Sequence, residues 1–288
     1  MILLGTGTSH GVPAIACGCA VCKSRDAHDK RFRSSAYVEA GEKKFVIDTG
    51  PDFRSQALAE NIVALDAVLL THSHADHLNG LDDVRSFRRR GYKNDCAKNA
   101  LPLYANRETL ADVKTRFNYI FTPTEYGGGK PNISLHDVNA FSEAHPLAIG
   151  SANIIPIEMI HGSLHSTGYL LSEEKNVNGF CEKKSIAYLT DCNDIVEKSL
   201  VTIHSNAGVL EHIVIDGLRE RPHETHFSYR KAIEVGVALG AKHIWLTHIC
   251  HDASHNEITK FCEKVSSELN VSDTIKIKPA FDGLSIEV

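Results

Sequence analysis

The segment His72-Ser73-His74-Ala75-Asp76-His77 places three imidazoles and one carboxylate within six residues. A neutral imidazole binds zinc, manganese or iron through one ring nitrogen, and a carboxylate adds a hard oxygen. The preceding run Ala67-Val68-Leu69-Leu70-Thr71 reads as a buried strand, so the four side chains leave a short turn together. Four ligands this close exceed the needs of one ordinary open site. The spacing therefore points to two neighbouring ions and to hydrolysis. Further ligand types stand at the ends of apolar runs: His161 after 154–160, Asp191 after 186–190, and His248 after 244–247. One sheet edge that collects such side chains is how α/β folds build active sites.

A second cluster lies upstream. Cys17-Gly18-Cys19-Ala20-Val21-Cys22 offers three thiolates within six residues. That spacing suits one wrapped zinc ion better than any disulfide. Close by in sequence, His10 and His28 are the candidates for a fourth ligand. Cys96, Cys181, Cys192 and Cys262 read as bystanders.

These side chains need a frame. Apolar or alternating runs predict strands at 2–4, 35–40, 44–48, 67–71, 101–104, 153–160, 167–171, 185–189, 212–215 and 243–248. Helices are expected at 52–60, 108–117, 193–199, 228–239 and 256–269. Strands come first and mixed α/β units follow, which suits two half-sheets with helices outside. The polar stretches 91–100 and 122–134 read as long loops. No linker is evident, so 1–288 is expected to be a single domain.

Composition narrows the class. The chain has 288 residues, 42% hydrophobic and 23% charged, as in an ordinary globule. A net charge of -5 argues against an extended nucleic-acid surface. No basic leader and no membrane-length apolar run are seen, so a cytoplasmic location is expected. Histidine is the outlier, with 17 copies.

The pattern His72-x-His74-x-Asp76-His77, followed by His161, Asp191 and His248, resembles the metallo-β-lactamase-fold hydrolases over nearly the whole chain. The resemblance implies a four-layer αβ/βα sandwich. It also implies one ion held by His72, His74 and His161, a second held by Asp76, His77 and His248, and Asp191 between them. Two such dications, manganese or zinc, would bring a shared water to hydroxide near neutral pH. The Cys-x-Cys-x-x-Cys segment after Gly5-Thr6-Gly7-Thr8-Ser9-His10-Gly11-Val12-Pro13 is similar to that of PhnP-type cyclic-phosphate phosphodiesterases. That likeness implies a structural zinc on Cys17, Cys19, Cys22 and His251, carried by a loop insert near 13–34, with Cys250 a rival for the fourth position. It further implies that His226, 22 residues before His248, is the general acid, with His223 as its neighbour and rival. Asp76 joins His226 among the catalytic candidates. A homodimer is also implied.

Other features carry less. Gly5-Thr6-Gly7-Thr8 reads as a tight turn that passes backbone near the metals, and Asp48 as a hydrogen-bond partner of a ligand histidine. Arg85, Arg88, Arg89, Arg90 and Lys93 can attract a phosphate but read better as a solvated face. Tyr119, Phe121 and Tyr126 are candidates to contact a ribose or base. The expected function is a dinuclear metal-dependent phosphodiesterase for a small (cyclic) phosphodiester. The alternatives are an RNA-processing nuclease of the same fold and a cofactor-biosynthesis accessory protein. Segment 218–222 differs from that of the phosphodiesterase best known for this activity.

Overall fold

In the computed structural model, which describes residues 1–87, 100–123, 129–177 and 179–288, side-chain alternation sets the layers. In the strand Lys43–Ile47, Phe45 and Ile47 join one buried cluster and Val46 another. In the strand Val209–Asp216, Val214 joins that first cluster, whereas Ile213 and Ile215 join a third. Successive strand residues face opposite ways, so both sheets are covered on both faces. The shared cluster mixes Phe45 and Leu69 with Tyr169 and Tyr188 and is the core between the sheets. Outside it, Phe53 and Val113 bring helices onto the first sheet. Ile203, Ile233 and Ile258 do the same on the second. The architecture is the four-layer αβ/βα sandwich.

Among the described residues the first sheet has seven strands, in the order Leu284–Ser285, Ile2–Gly5, Ser35–Ala40, Lys43–Ile47, Ala67–Leu69, Leu101–Ala105 and Ile133–Asp137. The second has eight. Its path runs Asp194–Ile195, Ala152–His161, Leu164–Val177, Phe180–Leu189, Val209–Asp216, His243–Thr247, Lys276–Pro279, and Leu147–Ile149 pairs with Ala152–His161. Lys43–Ile47 and Ala67–Leu69 are parallel, as are Phe180–Leu189, Val209–Asp216 and His243–Thr247. Their carboxyl ends therefore reach one edge in register, and Asp48, the His72–His77 turn, Asp191, Asp216 and His248 all stand at such ends.

Several expectations need correction. The helix expected at 193–199 begins later: Asp194–Ile195 is a short strand paired with Met159 and Ile160, and the helix runs Glu197–Asn206. Edge pairing took Ile195 before helical periodicity could. The expected loop 122–134 ends inside the strand Ile133–Asp137, which pairs in parallel with Leu101–Ala105. The strands expected at 167–171 and 185–189 are parts of a longer hairpin, Leu164–Val177 with Phe180–Leu189. Its outer half is polar, which hid it, and opposite charges stand in register across it, Glu174 opposite Lys183 and Lys175 opposite Glu182. Three short strands, Leu147–Ile149, Lys276–Pro279 and Leu284–Ser285, were not anticipated. Stretch 91–99, with Arg88, Arg89, Arg90, Lys93, Cys96 and Tyr126, lies outside the described residues. Among those described, no helix is long and apolar enough to cross a membrane.

Helix starts follow local chemistry. Ser254 and Glu257 form a reciprocal capping box ahead of His255–Glu268. Ser228 caps Tyr229–Ala238, and Asn106 caps Arg107–Arg116.

On the second sheet, Trp245 Nε1 donates to His212 Nδ1 at 3.1 Å, and His212 Nε2 donates to Glu287 O at 3.1 Å. Burial, with His243 stacked alongside, pushes the His212 imidazole down to about 4. The folded protein then keeps this ring neutral while the unfolded chain takes a proton below its ordinary value of about 6.5. Stability should fall as pH drops from about 6.5 toward 4. His212→Gln keeps an acceptor for Trp245 and removes the titration. Its unfolding temperature should lose less than the parent's over that interval, and an identical pH dependence in both proteins would refute the assignment.

Candidate metal centres

The ligand turn owes its shape to two glycines. Thr49 N–H donates to His77 O at 2.8 Å, and Gly80 N–H to Thr49 O at 2.8 Å, so the 49–50 loop lies flat on the turn. A Cβ at Gly50 would sit 1.9 Å from Asp76 O, and one at Gly80 2.0 Å from Gly50 O, which excludes any side chain. His74 opens the one-turn helix Ala75–Leu78, and that turn swings Asp76 and His77 back toward His72.

His72, His74 and His161 bring ligand atoms within 4.8 Å of one another, and Asp76, His77, Asp191 and His248 form a second such group. Asp191 faces both. Its Oδ1 is 4.0 Å from His161 Nε2 and 3.2 Å from His248 Nε2, and its Oδ2 is 3.1 Å from His77 Nε2. Asp48, Asp191 and His248 all adopt left-handed backbone, at φ 65°, 61° and 58°. Non-glycine residues avoid that region, and they hold it where the surroundings impose a functional geometry.

Three ligand rings are aimed by hydrogen bonds on the far nitrogen. His77 Nδ1 donates to Asp48 Oδ2 at 2.7 Å. His72 Nδ1 donates to Thr71 Oγ1 at 3.0 Å, and that hydroxyl donates in turn to Asp48 Oδ2 at 2.9 Å. His161 Nδ1 donates to Thr225 O at 2.7 Å. Each bond fixes the tautomer and leaves Nε2 as a lone-pair ligand. The buried Nε2 atoms of His72, His77 and His248 have no hydrogen-bond partner, although carboxylate oxygens stand nearby. Buried polar atoms are normally satisfied, so orphans converging on one point mark the place of a bound group.

Electrostatics give the same reading. Burial opposes charge on Asp76 and Asp191, yet His77 and His248 beside them hold both carboxyls far below the usual carboxylate range. Burial also opposes charge on His77, but Asp191, Asp76 and Asp48 around it raise the imidazole well above its ordinary value. Burial pushes His72 and His161 down. A carboxylate nest that draws a proton onto a buried imidazole is a nest for positive charge, and divalent ions fit this donor set.

Sequence reasoning missed Asp216. It is buried at the end of its strand, and its Oδ2 accepts from His226 Nδ1 at 2.6 Å and from Cys192 N–H at 2.9 Å. Burial alone would lower the His226 imidazole, but Asp216 overrides it and raises it to about 9. The signal was available: Asp216 closes an apolar strand just as Asp191 follows one. His226 stacks on His248 with centroids 4.6 Å apart and lines a cavity of about 310 Å³ with His74, His161, Asp191, Ser9 and Leu164. His223 is exposed, accepts from Thr225 N–H at 3.3 Å and lies outside that lining. Phe121 packs with the helices over the first sheet, and Tyr119 bonds Asp82, so neither faces the cavity. Arg85 pairs with Asp82 at 3.0 Å.

The cysteines gather as well. Cys17, Cys19, Cys22 and His251 bring Sγ and imidazole nitrogen within 4.8 Å of one another, with His251 Nδ1 3.4 Å from both Cys17 Sγ and Cys19 Sγ. Ligands about 2.0–2.3 Å from a tetrahedral zinc stand roughly 3.5 Å apart, so the set fits that ion. His10 is exposed, His28 stacks between His255 and Phe281, and neither they nor Cys250 belong to the group. Burial pushes Cys22 up to about 11 against the opposing Ala14 N–H bond, whereas the N–H of Cys22 and the His251 ring bring Cys19 down to about 6. One ready thiolate beside a neutral thiol is a set that binds a cation with release of protons.

Asp48→Ala should weaken ion binding by about 10–100-fold, because His77 and the Thr71–His72 pair lose their anchor together. Calorimetric titration of divalent ions measures this, and unchanged affinity would remove Asp48 from the account. Metal analysis should find about three ions per chain, one of them resistant to chelation.

A family model described as a β-lactamase superfamily domain matches residues 43–249. An octanoyltransferase of Porphyromonas gingivalis is 36% identical over 255 residues, covering 88% of this chain and 46% of that protein. The zinc phosphodiesterase ELAC protein 2 homolog of Caenorhabditis elegans is 27% identical over 252 residues, covering 73% of this chain and 29% of that protein. The chain thus spans less than half the length of either curated relative. A crystal structure of a diphosphatase from the PhnP family superposes with a TM-score of 0.77 at 35% identity, covering 100% of this chain and 96% of that one. The chain belongs to the metallo-β-lactamase superfamily and, within it, to the PhnP family.

Proposed function

We propose that the protein is a two-ion phosphohydrolase that cleaves small disubstituted phosphates, either phosphodiesters or diphosphate diesters. The observation that carries this reading is the Asp216–His226 pair beside the ligand clusters. A bound ion pair would supply an activated water and neutralise charge on the phosphoryl oxygens. His72, His74 and His161 would hold one ion, Asp76, His77 and His248 the other, with Asp191 common to both. His226 is the proton source. Asp216 fixes its Nδ1–H, so Nε2–H faces the cavity and can reach a departing oxygen. Asp216 also stabilises the imidazolium, which keeps the ring charged at neutral pH as a general acid requires.

The diphosphatase of the same family and the worm zinc phosphodiesterase both cleave bonds to phosphorus, which supports this class. Acyl transfer is not carried over from the octanoyltransferase. The chain spans 46% of that protein, and burial holds the thiols flanking two ligands protonated, Cys192 well above the usual range and Cys250 at about 11. An RNA substrate would call for a cationic surface, and the net charge is -5.

The manganese-loaded enzyme should hydrolyse bis-p-nitrophenyl phosphate, 2′,3′-cyclic nucleotides or a dinucleoside diphosphate. No metal-dependent turnover of any of them, with both ions bound, would sink the proposal. Asp191→Ala should abolish activity. His226→Ala should lower kcat by about 10²–10⁴-fold for alkoxide leaving groups and far less for p-nitrophenolate, which departs unprotonated. Equal losses on both would make His226 structural. In Asp216→Asn the alkaline limb of the pH–rate profile should move to lower pH, because the imidazolium loses its counter-charge; an unmoved limb would disconnect Asp216 from proton donation.

A further inference from the structure

Arg31 has had no role so far, yet it is a buried cation. Its Nη1 donates to Thr6 Oγ1 at 2.7 Å and to Ala280 O at 2.6 Å, and its Nη2 to His255 Nδ1 at 3.2 Å. Thr6 relays the charge, because its hydroxyl donates to Asp282 Oδ1 at 2.8 Å and its N–H to the same oxygen at 2.9 Å. Asp282 Oδ2 takes the Phe32 N–H at 2.6 Å. A well-packed hydrophobe would serve stability as well as such a network does, so its use is best sought in what it fixes in place.

What it fixes is Thr6, and through Thr6 the residue after His248. Ile249 N–H donates to Thr6 O at 2.9 Å, and Thr8 N–H donates to Ile249 O at 3.1 Å. Gly7 and Ile249 pair as an isolated parallel bridge between these bonds. Ile249 is thus gripped on both backbone sides. His248 needs this grip more than His72, His77 and His161 do. His72, His77 and His161 are each aimed by a hydrogen bond on the far nitrogen, whereas neither nitrogen of His248 has a partner. Stacking on His226, at 14° between planes, sets the plane of the His248 ring but not its advance toward Asp191.

We propose that Arg31, acting through Thr6, is a positioning residue for His248. It supplies through the backbone the aim that the His72, His77 and His161 rings receive at their own nitrogens. The inference rests on His248 being an ion ligand, as proposed above. It predicts a selective defect, since His248 belongs to one of the two histidine–aspartate groups and His72, His74 and His161 to the other.

The test uses full-length protein loaded with Mn²⁺ at the histidine–aspartate groups and Zn²⁺ at the cysteines. The parent is compared with Thr6→Val, which should fold normally, and with Arg31→Met and Arg31→Lys. Electron paramagnetic resonance follows the spin-coupled two-manganese signal as chelator is added. Coupling between linked sites is typically about 5–150-fold. In Thr6→Val and Arg31→Met the coupled signal should give way to a one-manganese signal at roughly tenfold lower chelator. Arg31→Lys should lie between, because an ammonium still donates to Thr6 and Ala280. Zinc should stay at one per chain. Parental chelator resistance in both Thr6→Val and Arg31→Met would overturn the inference. So would loss of zinc and of melting temperature in step with the manganese signal, which would mark general destabilisation. A parent without any spin-coupled signal would overturn the two-ion reading, and this inference with it.

Discussion

The structure is organised around one constraint: carboxylates and imidazoles are taken out of water at a single sheet edge. Asp48, Asp76, Asp191 and Asp216 are all buried there, and each remains a hydrogen-bond acceptor or faces an imidazole. Isolated ions in such a medium would lose several kcal/mol of hydration each. They persist because each is matched by a donor or by a site for positive charge. The two-sheet core supplies the dry, rigid wall that makes this matching strong. Left-handed backbone at Asp48, Asp191 and His248 is a local expense of turning three strand ends into one focus.

Much of this was legible in the amino acids. Ligand types after apolar runs located the strand ends that carry the His72–His77 turn, His161, Asp191 and His248, since such runs are buried on both faces and leave an unbroken hydrophobic signature. His251 was identified by resemblance and not by spacing, because 232 residues separate it from Cys19. Asp216 went unread because a single aspartate after a valine-isoleucine run looks like any strand terminus until His226 is folded against it. The outer hairpin was hidden for a different reason. Its strands alternate charge with charge, and their pairing is decided by the partner strand, which local periodicity does not see.

The two clusters are neighbours along the chain as well as in space. His248, Ile249, Cys250 and His251 run from one to the other within four residues. The cysteine loop has a small core of its own, Val12 and Val21 around Cys22, too slight to hold a fixed shape alone. Arg31 and Asp29 tie it to the capped start of the final helix, where His255 N–H donates to Asp29 Oδ1 at 2.7 Å. The segment that borders the cavity at Ser9 is therefore braced by the start of the final helix.

The strand Ile2–Gly5 pairs on one side with Leu284–Ser285, and Thr6 is bonded to Asp282 at a separation of 276 residues. Closing so long a loop is slow and entropically expensive, and it comes late. During synthesis, the first sheet and the His72–His77 turn leave the ribosome well before the segment that completes them. The first sheet is thus assembled from segments around Thr6 and Asp282, and the His72–His77 turn gains its full frame only when these distant segments meet.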